Sequence, residues 1–301
     1  MLYLIYITFN RNSYAKGLEM KKLLLLVATT SVLTACGGGG GGGGSPSPIY
    51  STTTYNGTSV SVAYTGASIG NPTTISTGAT YAETVDSNNI IKAGTFTAAN
   101  GNSATFNVAN GDTIVQPTPG INAFTNAAGT QMALTGWASY WGWSYQSFGV
   151  WTNGNTTGQV SAGSAGTATT GTSIPTSGTG TYTGKAAGLF GNASTTYFVT
   201  ADMSATANFA TRNIAFATTN SVYSPTLTGT YSSAGGLNLS STMSYSANTN
   251  SFSGTVNSSG ATVMTGSIGG QFYGPTAQEI GGVFAVKNGN IGYIGGFGGK
   301  R

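Results

Sequence analysis

From Thr196 to Phe209 the sequence TYFVTADMSATANF sets apolar and polar side chains in alternation. Tyr197, Val199, Ala201, Met203, Ala205, Ala207 and Phe209 fall on one parity. Thr196, Thr200, Asp202, Ser204, Thr206 and Asn208 fall on the other, with Phe198 as the exception. Successive side chains of a strand point to opposite faces, so this pattern demands an extended chain with one dry and one wet side. The same alternation recurs at Tyr182–Phe190, Leu237–Tyr245, Phe252–Val256 and Ile291–Phe297, giving roughly eight runs between 181 and 298. Turn clusters such as GNAS, ANTN, NSSG and KNGN separate them, and no 3.6-residue apolar period persists over a helix-length window.

Short connections favour antiparallel neighbours, and dry faces that mix Gly and Ala with Tyr, Phe and Met suit the filled interior of a small closed barrel. The expected fold class is all-β: a soluble eight-stranded antiparallel up-and-down β-barrel in the C-terminal half (179–301), preceded by a smaller β-rich domain (49–152). Candidate strands of that first domain include TSVSVAY, the segment near Thr105–Val108 and the aromatic stretch over 137–151. The Gly/Ser/Thr-rich segment 153–178 reads by composition as a surface loop between the two.

The N-terminal region narrows where such a protein works. From Met20 the chain reads MKKLLLLVATTSVLTAC, two lysines and a short apolar run followed by small residues. That is the layout of a secretory signal and is too short for a membrane span. Leu33-Thr34-Ala35-Cys36 resembles the lipobox of bacterial lipoproteins. The resemblance implies cleavage between Ala35 and Cys36, a diacylglycerol on the Cys36 sulfur and an acylated, palmitate-type N-terminus. Residues 1–19 are then a mis-assigned upstream start, 20–35 the signal peptide, and 36–48 the lipidated cysteine with its Gly/Ser/Pro tether. Several acyl chains are needed for stable anchoring, and Gly37 after the cysteine makes sorting to the outer membrane the default. An acyl anchor is redundant on a membrane-spanning barrel, and the chain ends GGKR without the terminal aromatic common in such barrels; a water-soluble barrel is therefore favoured.

Beyond Cys36 the chain carries six basic residues (Lys92, Lys185, Arg212, Lys287, Lys300, Arg301) and five acidic ones (Glu83, Asp86, Asp112, Asp202, Glu279). A surface so nearly neutral lacks the clustered positive charge that nucleic-acid binding requires. The chain has no histidine, which removes Ser/His/Asp and Cys/His catalysis, and acylation consumes the only thiol, which removes zinc sites of His and Cys. Five scattered acids offer no evident pair for glycoside hydrolysis, and no P-loop occurs. Neither an enzyme nor a cofactor or metal site is expected.

Two segments carry a family resemblance. IPTSGTGTYTGKAAG (174–188) is similar to the opening of the barrel in the transferrin-binding protein B family. GSIGGQFYGPTAQEIGGVFAV (266–286) resembles its closing motif, with Phe272, Tyr273, Gly274 and Pro275 followed by Glu279, Gly281, Gly282 and Phe284. The resemblance implies a lobe built from a β "handle" and an eight-stranded barrel, similar also to factor H binding protein and the hemophilins. The chain has room for one lobe. The motif also reads physically: Gly274-Pro275 ends a strand, TAQEI forms a short helical turn, Glu279 bonds to backbone amides in that turn, and Gly281-Gly282 lets the chain re-enter the barrel closely packed. It points to fold rather than ligand.

The strongest recognition segment is GWASYWGWSYQSFGVWT. In an extended strand Trp137, Trp141, Trp143, Tyr145 and Trp151 share one face, while Tyr140 and Phe148 fall on the other. Such residues form binding hot spots when exposed and fill domain seams when buried. Core is favoured over platform, with a mixed case open in which Tyr140 and Phe148 are exposed. The expected function is that of a surface-exposed outer-membrane lipoprotein that binds a host protein or a haem or iron carrier and hands it to an outer-membrane receptor. Haem itself is a minor option, since only Tyr or Met could serve as axial ligand. The alternatives are a structural or adhesive surface lipoprotein, and a barrel that binds a small solute.

Overall fold

The computed structural model describes residues 51–87, 90–154 and 157–301; the expected signal peptide, Cys36 and the expected tether lie outside the described residues. Ser47–Arg301 forms one compact unit containing two antiparallel sheets. The first comprises β1 (Ser51–Thr65), β2 (Ser68–Ile69), β3 (Ser76–Val85), β4 (Ile91–Thr97) and β5 (Ser103–Asn107). It continues with β6 (Thr113–Thr118), β7 (Ile121–Thr125), β8 (Gln131–Gly136), β9 (Gln146–Asn153) and β10 (Thr157–Gly166), and a four-residue helix, α1 (Ala138–Trp141), separates β8 from β9. The second sheet holds β11 (Thr179–Gly191), β12 (Thr196–Asn208), β13 (Asn213–Ser224), β14 (Ser232–Ser233) and β15 (Leu239–Tyr245). It ends with β16 (Ser251–Ser258), β17 (Thr265–Tyr273), β18 (Glu279–Asn288) and β19 (Ile291–Lys300).

In the second sheet consecutive strands pair as a meander, and β19 returns to pair with β11. With the two-residue β14 set aside, eight strands close a barrel, as the alternation predicts. Its interior is packed with the expected parity: Val199, Met203, Ala205, Ala207 and Phe209 join Tyr182, Phe216, Met243, Phe284 and Phe297 in one core. Ser204, Thr206, Asn208, Ser244, Ser253 and Thr255 are exposed on the outer wall. An apolar inside and a Ser/Thr/Asn outside is the water-soluble arrangement, the inverse of a lipid-facing barrel. Phe198 breaks the alternation because it faces the other sheet, packing with Ala187, Leu189 and Ile294 in the seam.

The first sheet runs in the order β5-β4-β3-β1-β10-β9-β8-β7-β6 and curls on itself, leaving β5 and β6 as edges. Its concave side encloses Tyr81, Phe96, Phe106, Phe124 and Trp151, with Phe96 and Trp151 each within 6.0 Å of neighbouring ring centroids. Its convex side lays β1, β9 and β10 against β18 and β19 of the barrel.

That double coverage corrects the expected loop over 153–178, whose first part is the central strand β10. Val160 and Ala162 face the barrel while Gly163 and Ala165 back onto Tyr81 and Trp151. A Cβ on Gly163 would lie 3.0–3.1 Å from the Tyr81 and Trp151 rings. Only small residues fit between two packed layers at this spacing, and small residues are what a flexible linker is made of. Composition could not separate the two.

Candidate functional site

The aromatic segment does not stay extended. β8 stops at Gly136, Trp137 caps α1 in a β conformation, and Gly142 (φ 62°) terminates the turn in the left-handed region that glycine tolerates. The turn breaks the shared parity expected of the four tryptophans and sends them to three places. Trp151 lies in the core of the first sheet, Trp143 in the seam against the barrel, and Trp137 and Trp141 are half-buried at the surface. Phe148 is fully buried rather than exposed, and Tyr145 is half-buried. Tyr140 is 51% exposed, as the mixed case predicts.

The rings form a ladder from solvent to core. Trp137 and Tyr140 stack at 5.5 Å, Tyr140 meets Trp141 edge-on at 5.2 Å, Trp141 stacks on Trp143 at 6.1 Å, and Trp143 packs on Phe148 at 5.8 Å. Gly120 seats the outer end: its carbonyl accepts from Trp137 N at 2.9 Å and Trp141 Nε1 at 3.1 Å. A Cβ at Gly120 would overlap Trp141.

Glu279 fixes the inner end. Its side chain is wholly buried, and Oε1 and Oε2 accept from the amides of Ser144 at 2.7 Å and Tyr145 at 3.0 Å. This corrects the expectation that Glu279 caps its own turn: Gly274 to Ala277 form a non-helical turn, Glu279 already begins β18, and its partners lie in the aromatic loop. Burial pushes its pKa up, while the amides of Ser144, Tyr145 and Gln146 and the charge of Lys300 pull the other way. Lys300 Nζ donates to Gly142 O in the same loop, and Lys185, paired with Asp202, sits 6.0 Å from the Trp141 ring centroid.

The remaining motif residues either join the two sheets or pack within the barrel. Tyr273 OH hydrogen-bonds Ser164 Oγ at 3.0 Å, and Gly274 O accepts from Thr169 Oγ1 at 2.6 Å. Pro275 follows the end of β17, as expected of a residue that cannot donate to a ladder. A Cβ on Gly281 would press on Ser164 Oγ and Gln146, and one on Gly282 would lie 2.3 Å from Gly269 O. Phe272 and Phe284 are buried in the barrel core.

Beside Trp137, a groove of about 920 Å³ opens between the start of β4 and edge strand β6. Its lining includes Ile90, Val108, Ile114, Val115 and Trp137, together with the polar Lys92, Asp112, Gln116 and Asn122. Ile90 and Val108 are 52% and 43% exposed, so with Tyr140 this end of the sheet carries three of the four large exposed apolar side chains among the described residues. Sequence reasoning missed the groove because its walls come from segments brought together only when the sheet curls. Among the described residues no group of three or more His, Cys, Asp or Glu could hold a metal ion, and no helix is long and apolar enough to cross a membrane.

A family model described as the C-lobe and N-lobe β-barrels of Tf-binding protein B matches residues 174–301. The barrel is transferrin-binding protein B-like. No curated protein sequence matches the chain. Among solved structures, a tryptophan mutant of the vaccine antigen transferrin-binding protein B from Haemophilus parasuis Hp5 aligns at 13% identity and TM-score 0.46, covering 84% of this chain and 77% of that one. A phenylalanine mutant from Actinobacillus pleuropneumoniae H49 aligns at 13% identity and TM-score 0.43, covering 81% and 98%. The isotype 1 protein of serogroup B Neisseria meningitidis gives 15% identity and TM-score 0.40, covering 74% and 49%. These superpositions are loose, and the family match over the barrel carries the assignment. Within the matched span, Tyr273, Gly274, Glu279 and Gly281 make the contacts with the first sheet and its loops.

Proposed function

We propose that this chain is a bacterial outer-membrane lipoprotein, acylated at Cys36, that captures an extracellular host protein for nutrient acquisition. The observation that carries the proposal is the surface formed by Trp137, Tyr140 and Trp141 beside an apolar groove, held rigid from beneath by Glu279 of the transferrin-binding protein B-like barrel. Large rings with few rotamers, presented on a fixed loop, lose little entropy on binding a protein partner. With so few charges on the protein, contact area and shape rather than electrostatic steering supply the affinity. Hand-over to an outer-membrane receptor completes the role. Transferrin, named in the relatives it resembles, is the first partner to test.

Growth of a deletion strain on host iron sources tests the proposal. Loss of growth on a protein-bound iron source, restored by the wild-type chain and not by Cys36→Ser, supports it. Normal growth with lost attachment to host cells favours the adhesive alternative.

A further inference from the structure

The two ends of the barrel differ. One is packed shut: Phe272 sits among Tyr182, Phe209, Tyr245 and Phe252, with ring centroids 5.4 or 6.2 Å away. The other end is open. There a cavity of about 470 Å³ is lined by Phe190, Tyr197, Tyr223, Leu237, Met264 and Ile291, a volume in the usual range of small-molecule pockets. Phe190 and Tyr197 stack at 6.1 Å and Tyr223 meets Tyr197 edge-on at 4.6 Å, which makes one wall an aromatic plate.

The chemistry of the lining selects a ligand class. No Asp, Glu, Lys or Arg contributes to it, so a charged ligand would lose its hydration there without a partner. Gly235, Gly236 and Gly260 leave the rim without side-chain bulk. Asn192, also at the rim, has its Oδ1 committed to the amides of Ser194 and Thr195, which leaves its side-chain amide as the donor to offer.

β1 begins at Ser51 and runs past β10 to Thr65, and Ile69 just beyond it packs on Gly191 and Gly292 at the open end. The described part of β1 therefore starts towards the opposite, closed end. We propose that the open end of the barrel binds a small neutral aromatic or apolar molecule, seated on the Phe190–Tyr197–Tyr223 wall. This site is separate from the Trp137–Tyr140 surface, and either can exist without the other.

Fluorescence titration of the detergent-free unit Ser47–Arg301 with the neutral probe N-phenyl-naphthylamine tests this, with anilinonaphthalene sulfonate as the anionic comparison. Saturable one-to-one binding of the neutral probe, about ten-fold tighter than the anionic one, is expected. Gly235 lines the cavity and a Cβ built on it meets nothing within 4 Å, so Gly235→Phe adds bulk at the mouth without a backbone clash. It should weaken binding by about ten-fold or more at an unchanged melting temperature. Should that variant fail to fold, Tyr223→Ser, which removes part of the plate, carries the same expectation, and Ser244→Ala on the outer wall should bind as wild type. No saturable binding, equal binding by the variants at the mouth, or preference for the anionic probe overturns the proposal.

Discussion

Replacing Glu279 by Ala removes the carboxylate that holds Ser144 and Tyr145. A hydrogen bond to a charged acceptor is worth about 1.5–3 kcal/mol, so the pair bounds the gross loss at roughly 3–6 kcal/mol. Two effects reduce it. Ser144 is exposed, so its freed amide regains water, and burial of the carboxylate already opposes the charged form. The net loss should be about 2–3 kcal/mol, which for a unit of this size lowers the melting temperature by about 5–10 °C. Thermal unfolding followed by near-ultraviolet circular dichroism measures it. The loop should loosen before the barrel melts, so acrylamide quenching of tryptophan fluorescence should rise at 25 °C. An unchanged melting temperature together with unchanged quenching refutes the idea that this residue clamps the loop.

Gly282→Ala places a Cβ 2.3 Å from Gly269 O and should cost about 1–3 kcal/mol in a urea melt, since the obstacle is backbone and cannot rotate away. Trp143→Ala and Trp151→Ala should each cost about 3–5 kcal/mol, whereas Tyr140→Ala should leave the melt unchanged; equal effects would contradict the assignment of core and surface. Glu83 on β3 has its pKa raised by burial from 4.5 to about 7, with Ser147 acting in the opposite sense. Because the folded value lies above the unfolded one, the folded state holds the proton more tightly, and the contribution of this group to stability is greatest below pH 4.5 and falls as pH rises to about 7. The loss is up to about 3 kcal/mol at 1.36 per unit. Glu83→Gln should flatten that part of the profile and stabilise the protein at pH 8; an identical slope in both proteins contradicts the burial of this carboxyl.

What could be read in advance follows from which faces are wet. The barrel strands alternate because their outer wall meets water and their inner wall meets Phe272, Phe284 and Phe297, so composition and parity agree. β10 carries no alternation because both its faces are covered, and its Gly, Ser and Ala residues imitate a linker. The aromatic loop defeats parity for a different reason: α1 and the left-handed Gly142 rotate Trp141 and Trp143 out of strand register. The resemblance picked out Glu279 as a motif residue, but its hydrogen-bond partners lie 134 and 135 residues away and no local rule could find them. The groove beside Trp137 arises from the same long-range closure, through Ile90 and Val108 on one wall and Ile114 and Val115 on the other.

The central claim is capture of a host protein on the Trp137–Tyr140 surface. Biolayer interferometry of the unit Ser47–Arg301 against serum transferrin, wild type beside Trp137→Ala and Tyr140→Ala, tests it most directly. The account predicts saturable binding by the wild type, weakened by about ten-fold or more in each variant at unchanged melting temperature. Absence of binding to transferrin and to every other serum protein presented the same way, or binding that both variants retain in full, would contradict it.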